Sequence, residues 1–343
     1  MNNYNPENER IKRAYYVYLK EADRKAETTV NAIRKAILRF EEYTQFASFK
    51  LFNKGQAIAF KKHLAGIKAI GSGQPLAKAT ILSTINALKA FFGWLRFQPG
   101  FKSRICPTEI EYLNLSEKET RAAQAPKYKP FPTMEEIRKA IFSSQHETDI
   151  EKRDRALIAF TILTGIRDSA IISLKLKHID LYRDFVNQDP TEVNTKFSKR
   201  IDTYFFPVGD DMKDVFVEWV KFLKEEKVHG NDAPLFPRTK IGQDEYHSFS
   251  PLGLESEHWC TTTPVRGIFR AAFKRAGLPY YSPHRFRNTL VRLGQQICTT
   301  PEEFKAWSQN LGHESPLTTF ISYGQIDLYR QGDIISGLNA NGK

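Results

Sequence analysis

Apolar residues recur at helical spacing along the first part of the chain. Over residues 28–47, and again over 76–97, they stand three and four positions apart, which predicts two helices that each bury one face. The second pattern stops at Pro99-Gly100, a pair that terminates helices. A shorter helix is predicted over 56–66. We therefore expect the first 110 residues to form a compact helical bundle.

The pattern changes after this bundle. The polar segment SEKETRAAQ is followed by APKYKPFP, whose prolines favour an extended chain and predict a linker. We place a domain boundary at this point. The first predicted domain covers residues 1–125 and the second covers 126–343.

The second domain is predicted to be mainly helical with a small antiparallel sheet. Thr133 and Glu136 have the spacing of a capping box that opens a helix. Residues 154–163 are apolar enough for a buried helix, which Gly165 would end. Strand-like pieces within 178–208 surround the polar turn NTKFSKR. Further helices are predicted over residues 211–226, 263–276, 283–297, 301–310 and 316–326.

The composition is that of a folded globular protein. Hydrophobic residues make up 41% and charged residues 26% of the 343 positions, which excludes a mainly disordered or collagen-like chain. No run of about 18 apolar residues is present, and the N-terminus lacks the apolar core of a secretory signal. The three cysteines are far apart, so they form neither a CxxC metal pair nor a disulfide framework, and we expect a reducing cytoplasm.

Positive charge is concentrated in the first domain. Residues 1–125 hold 21 Lys or Arg and 11 Asp or Glu, a net charge of +10, while 126–343 hold 30 and 28, a net of +2. No acidic residue occurs between Glu42 and Glu109. Such a surface concentrates polyanions, and nucleic acid is the expected partner, although a solvated basic face is the alternative. The candidate DNA-binding residues are Lys50, Lys54, Lys61, Lys62, Lys78, Lys89 and Arg96.

Four short segments of the second domain contain candidate chemistry. They are TGIRDSAIISL (164–174), NTKFSKR (194–200), SPHRFRNTLVRLG (282–294) and LGHESPLTTFISYG (311–324). Each alone is compatible with an ordinary surface cation or a packed aromatic residue. In this order and spacing they resemble the tyrosine recombinase (phage-type integrase) family. The positions that match the family's catalytic residues are Arg167, Lys196, His284, Arg287, His313 and Tyr323.

The resemblance implies a DNA strand-transfer enzyme that works through a covalent 3′-phosphotyrosine, without a metal ion, ATP or another cofactor. It implies a two-domain clamp on double-stranded DNA, with a helical, SAM-like core-binding domain followed by the catalytic domain. It also implies a specific recombination site, dimers and tetramers on DNA, and a role in a mobile genetic element. The implied location is the bacterial cytoplasm, associated with the nucleoid.

The chemistry of phosphodiester cleavage accounts for these residue types. Attack by an oxygen creates an anionic, five-coordinate transition state, which two planar guanidiniums can hold, and Arg167 and Arg287 are the candidates. The phenol of Tyr323 is a weak nucleophile until it loses its proton, and His284 could accept that proton or orient the phosphate. Lys196 could protonate the leaving 5′-oxygen, and His313 could donate a hydrogen bond to a non-bridging oxygen.

Several assignments stay open at the sequence level. Family members often carry an acidic residue three positions after the first arginine, where this chain has Ala170, while Asp168 is one position after it. Lys199 and Arg200 compete with Lys196 for the acid role, and Tyr329 is the second candidate nucleophile. The rival functions are a type IB topoisomerase, a non-catalytic DNA-binding protein of the same fold and an RNA-binding helical protein.

Overall fold

The computed structural model describes residues 4–68, 73–125, 129–143, 147–243, 247–313 and 328–337. The chain divides into two compact units, Met1–Ala125 and Pro126–Lys343. Most described residues are helical, and the strands form small antiparallel sheets, so the predicted fold class is confirmed. Within the described ranges, no helix is long and apolar enough to cross a membrane.

The first unit is a helical bundle around an aromatic core. Phe40 and Phe92 pack edge to face with ring centroids 5.4 Å apart, and Phe52 stacks on Phe92 at 3.9 Å. Aromatic pairs of this kind add to the burial energy of the rings. The helices are α1 (Pro6–Val17), α2 (Glu27–Tyr43), α3 (Lys54–Gly66), α4 (Lys78–Leu95), α5 (Pro107–Glu111) and α6 (Glu117–Gln124).

Several features of this unit differ from the sequence prediction, since α1, α5 and α6 lie outside the predicted helices and α2 ends early. No helix was predicted before residue 28, yet α1 forms. It was not predicted because some of its buried side chains are polar. Asn8 and Lys12 are buried and donate to the carboxylate of Glu41 at 3.3 and 2.6 Å. The helix predicted to reach residue 47 ends at Tyr43, because the next residues turn into the left-handed region, with Phe46 at φ 58°.

The second unit is built around α8, whose residues from Ala156 to Thr164 are all buried. The capping box at Thr133 is present and opens α7, so that prediction is confirmed. The predicted helix over 316–326 lies outside the described residues. The helices are α7 (Met134–Phe142), α8 (Asp149–Thr164), α9 (Asp168–Ile171), α10 (Asp210–Lys221), α11 (Thr263–Arg275), α12 (Phe286–Ile297), α13 (Pro301–Asn310) and α14 (Leu328–Gly337).

In the part of the chain that the structure describes, two antiparallel sheets accompany these helices. The strands are β1 (Ile179–Asp180), β2 (Phe185–Gln188), β3 (Ile201–Tyr204), β4 (Arg238–Gln243) and β5 (Phe249–Glu255). The first sheet has the order β1-β2-β3, and the second is the β4–β5 hairpin. The hairpin was not predicted, because its apolar residues, including Ile241 and Phe249, are exposed and give no alternation toward a buried face.

The packing of α12 against α13 supports the region of the candidate site. Trp307 of α13 donates its indole N–H to the carbonyl of Leu290 at 3.0 Å. A Cβ atom at Gly294 would lie 2.6 Å from the indole nitrogen, so the helices meet at this distance only because position 294 has no side chain.

Candidate active site

The end of α8 brings three distant segments together. Gly165 ends the helix in the left-handed conformation, with φ 60°. A Cβ atom at this position would lie 2.8 Å from Leu290 of α12 and 2.8 Å from Leu311 of the LGH segment. The backbone after α8, the helix α12 and the LGH segment are therefore in direct contact.

Arg287 joins these three segments through its guanidinium. The side chain is 2% exposed, and it donates to the carbonyl oxygens of Gly165 at 2.5 Å and Leu311 at 2.6 Å. It also contacts Nε2 of His313 at 2.7 Å. Burying a cation is costly unless its N–H groups are bonded, and these contacts meet that requirement while fixing the orientation of the guanidinium.

The contact with Arg287 determines how His313 is protonated. A guanidinium can only donate, so Nε2 of the neutral imidazole accepts and Nδ1 carries the proton. Loss of solvation, followed by the positive charges of Arg287 and Arg167, lowers the pKa of His313 to about 3. His313 is therefore a neutral hydrogen-bond donor at pH 7.

His284 lies on the 3₁₀ turn Pro283–Arg285 that leads into α12, three residues before Arg287. Loss of solvation lowers its pKa to about 4, and the charges of Arg287, Arg285 and Arg167 act in the same direction. His284 is nevertheless exposed to solvent. The ring is therefore neutral at pH 7 and able to accept a proton.

Arg167 is the N-cap residue of α9 and lies two positions after the break at Gly165. Its charge lowers the pKa of both His284 and His313, so the guanidinium acts electrostatically on both imidazoles. The neighbouring Asp168 accepts two hydrogen bonds from Arg266 of α11, at 3.0 and 2.8 Å. The carboxylate next to the first arginine thus binds a second arginine on a different helix.

Lys196 begins a 3₁₀ turn between β2 and β3 and is exposed. Its charge is among the causes that lower the pKa of His313, so the ammonium acts electrostatically on that imidazole. Of its competitors, Arg200 is engaged with Asp202 at 3.2 Å.

The structure thus brings together five of the six predicted catalytic residues. The sixth, Tyr323, lies outside the described residues, whereas Tyr329 of α14 is 86% exposed. The carbonyl oxygens that hold Arg287 were not predicted from the sequence. A glycine directly after a buried helix and the Leu-Gly before a histidine are the sequence features that could have pointed to them. Among the described residues, no group of three or more His, Cys, Asp or Glu side chains could hold a metal ion.

The basic residues of the first unit are partly neutralised in the folded state. Lys50 pairs with Glu7, and Lys89 lies 3.5 Å from Glu111. These acidic partners come from outside the stretch that lacks acidic residues. The sequence pattern therefore overstates the positive electrostatic field of that stretch.

The remaining predicted cations of this unit are spread over several surfaces. Lys61, Lys62 and Lys78 line a cavity of about 420 Å³ beside Glu119. Arg96 lies over the ring of Phe97 at 4.8 Å. Lys54, at the start of α3, is exposed.

Comparison with known proteins decides the family. The sequence profile described as "Phage integrase family" matches residues 133–327, which is more than half of the chain. The chain belongs to the phage integrase family. All six predicted catalytic positions fall within the matched residues.

Similar proteins agree with the phage integrase assignment. The tyrosine recombinase XerC of Lactobacillus delbrueckii subsp. bulgaricus is 25% identical over 257 residues, which cover 74% of this chain and 75% of that protein. A XerC of Staphylococcus aureus is 25% identical over 195 residues, or 56% of each chain. These relatives are tyrosine recombinases by name, and the chain is a tyrosine recombinase by family.

Solved structures share the fold of this phage integrase family member. A lambda integrase dimer bound to a COC′ core site has a TM-score of 0.61 and 14% identity, covering 93% of this chain and 99% of that one. The recombinase XerH bound to a palindromic difH substrate, in a post-cleavage complex, has a TM-score of 0.61 and 20% identity. That match covers 93% of this chain and 82% of the XerH chain.

Proposed function

We propose that the chain is a site-specific DNA recombinase that cleaves and rejoins strands through a covalent 3′-phosphotyrosine. The observation that supports this best is the meeting of two arginines, two neutral histidines and a lysine from separate segments of the second unit. A cluster of positive charge with neutral proton donors and acceptors suits the anionic transition state of phosphoryl transfer.

Each side chain has a distinct part in the proposed cleavage. The guanidiniums of Arg167 and Arg287 bind the non-bridging phosphate oxygens, and the Nδ1–H of His313 donates to one of them. The phenol oxygen of Tyr323 attacks phosphorus and passes its proton to neutral His284. The bond from phosphorus to the 5′-oxygen breaks, and the ammonium of Lys196 gives a proton to that oxygen.

Rejoining is the reverse of this cleavage. A 5′-hydroxyl attacks the phosphotyrosine, the phenol leaves, and the two protons return to their original groups. The phosphotyrosyl ester retains the energy of the broken bond, so we expect no requirement for ATP. The cationic side chains carry the charge of the transition state, so we expect no requirement for a metal ion.

The first unit is proposed to bind the DNA duplex next to the cleavage position. Its net charge of +10, from 21 basic and 11 acidic residues, supports this role. We further propose assembly as dimers and tetramers on a specific DNA site. The clamp arrangement and the association with the nucleoid stay predictions.

A nicked suicide substrate tests the proposed function. DNA is first selected by the wild-type chain from a randomised duplex pool and from the DNA around its own gene, and is then nicked beside the cleavage position. We expect a covalent protein–DNA adduct that forms in the presence of EDTA and is lost in Tyr323→Phe.

The other outcomes of this assay have clear meanings. An adduct that persists in Tyr323→Phe but is lost in Tyr329→Phe would move the nucleophile to Tyr329. Sequence-independent relaxation of supercoiled DNA would favour a type IB topoisomerase. Absence of an adduct on every DNA tried would overturn the proposal in favour of a binding function.

A further inference from the structure

The loop that carries Lys196 is bound to the rest of the second unit shortly before the lysine. This lysine loop (residues 189–200) joins β2 to β3. The carboxylate of Glu192 accepts a hydrogen bond from Nζ of Lys177 at 2.8 Å and contacts Nε2 of His178 at 2.8 Å. Glu192 thus holds the loop at a point four residues before Lys196.

His178 is oriented to act as a donor to Glu192. Its Nδ1 accepts the backbone N–H of Lys175 at 3.0 Å, so the neutral ring carries its proton on Nε2. The His178 side chain is 6% exposed and that of Glu192 is 37% exposed, so this hydrogen bond is shielded from water on the histidine side only.

The segment that supplies Lys177 and His178 is itself firmly held. The backbone N–H of Leu176 donates to Ala233 at 3.0 Å, and that of Lys177 donates to Asn231 at 2.8 Å. The carboxylate of Asp232 lies 2.9 Å from Nζ of Lys177. Glu192 therefore binds side chains of a segment whose backbone is itself held by hydrogen bonds.

A second contact ties the lysine loop to the segment after α9. The backbone N–H of Asn194 donates to Oγ of Ser173 at 2.9 Å, and this hydroxyl donates to the carbonyl of Ala170 at 3.0 Å. Val193, between the two anchored residues, is 2% exposed. Since Arg167 is the residue that precedes α9, the lysine loop is connected through Ser173 to the short helix that follows the first arginine.

We propose that Glu192 and Ser173 are positioning residues that set the place of Lys196 relative to the phosphate, an inference that rests on the proposed function of Lys196 as the acid. Neither residue touches the reacting atoms. Lys196 itself is exposed, so the anchors before it limit the conformations of its loop. A proton donor must be within hydrogen-bond reach of the leaving oxygen, and a small misplacement lowers the rate roughly 10- to 100-fold.

The test uses the duplex on which the wild-type chain forms its adduct, prepared with either oxygen or sulfur as the leaving atom at the 5′ position. A thiolate leaves without protonation, because thiols have a pKa near 8.5, far below that of an alcohol. We expect Glu192→Ala to cleave the oxygen substrate about tenfold or more slowly than wild type does. On the sulfur substrate, the cleavage rate of Glu192→Ala should be nearly that of wild type. Lys196→Ala should show the same pattern.

Three further variants and one control variant sharpen the test. Ser173→Ala should behave like Glu192→Ala, and Ser173→Thr, which keeps the hydroxyl, should retain more activity. The double variant Lys196→Ala/Glu192→Ala should be no slower than Lys196→Ala, since the two residues act through one proton transfer. Glu257→Ala is the matched control, because it removes a carboxylate that pairs with Arg238 at 2.9 Å in a different part of the same unit, and its rates should equal those of wild type.

The outcomes separate this inference from the proposed function. If wild type forms no adduct on any DNA, the proposed function fails and the inference fails with it. If wild type reacts and Glu192→Ala reacts equally fast, the positioning role alone is overturned. Equal slowing of Glu192→Ala on the oxygen and sulfur substrates would also overturn it, because that result indicates a general structural defect.

Discussion

Replacing Gly165 by alanine should destabilise the second unit and impair the candidate active site at the same time. The residue has φ 60°, and its added Cβ would lie 2.8 Å from methyl carbons of both Leu290 and Leu311. Its carbonyl oxygen accepts a hydrogen bond from Arg287 at 2.5 Å. A shift that relieves the clash therefore also moves an acceptor that orients the guanidinium.

The expected cost has two parts. A non-glycine residue in the left-handed conformation costs about 1–2 kcal/mol. Forcing a methyl group into a packed contact costs about 1–3 kcal/mol. The free energy of unfolding of the second unit should therefore fall by about 2–5 kcal/mol.

Urea unfolding followed by tryptophan fluorescence measures this loss. In a Trp94→Phe background the signal comes from the second unit, where the other three tryptophans are located. Gly267→Ala is the control, since an added Cβ in the middle of α11 meets no atom within 4 Å, and it should gain about 1 kcal/mol from helix propensity. An unfolding midpoint of Gly165→Ala equal to that of wild type would refute the reasoning.

Three other predictions concern the charged groups. Arg287→Ala leaves two buried carbonyl oxygens without their donor, at a cost of about 1–3 kcal/mol for each. The unfolding midpoint in urea should therefore fall by an amount equivalent to about 2–6 kcal/mol. Arg287→Lys should lose less, and equal losses would contradict this account. Because the pKa of His313 is about 3, below its ordinary 6.5, the unfolded chain binds this proton more readily, and stability should decline as the pH falls from about 6.5 toward 3. His313→Gln should reduce that decline in the urea midpoint, and an unchanged slope would argue against the lowered pKa. Lys62→Ala should reduce the slope of log affinity against log salt for DNA by about 1 if this lysine contacts a phosphate, while Lys118→Ala, on α6, should leave the slope unchanged.

Much of the helical framework could be predicted from the sequence, because the helices α2, α4, α8 and α12 bury strongly apolar faces. The elements that escaped prediction lack such a face. The α1 helix is held partly by Asn8 and Lys12 through Glu41. The hairpin of β4 and β5 exposes its apolar residues, so no alternating pattern marks it.

The candidate residues of the site could be named from the sequence, but their supports could not. The order of the segments and the resemblance pointed to Arg167, His284 and Arg287. The glycine that follows a buried helix marks the position, but it does not indicate that its carbonyl binds Arg287, which lies 122 positions away. The hydrogen bond between Ser173 and the backbone of Asn194 joins residues 21 positions apart, and it likewise produces no periodic pattern in the sequence.

The sequence alone determined the residue types, the two-part organisation expected of the chain, and the family to which the chemistry belongs. These follow from local periodicity, charge and the order of the motifs, which are properties of the linear sequence and do not depend on the folded structure. The tertiary structure decided which groups meet: a guanidinium held by two carbonyl oxygens, two imidazoles kept neutral by burial and nearby cations, and a lysine loop anchored before its lysine. The physical reason is that pKa values and hydrogen-bond partners depend on distances across the fold, and the linear order of residues does not specify those distances.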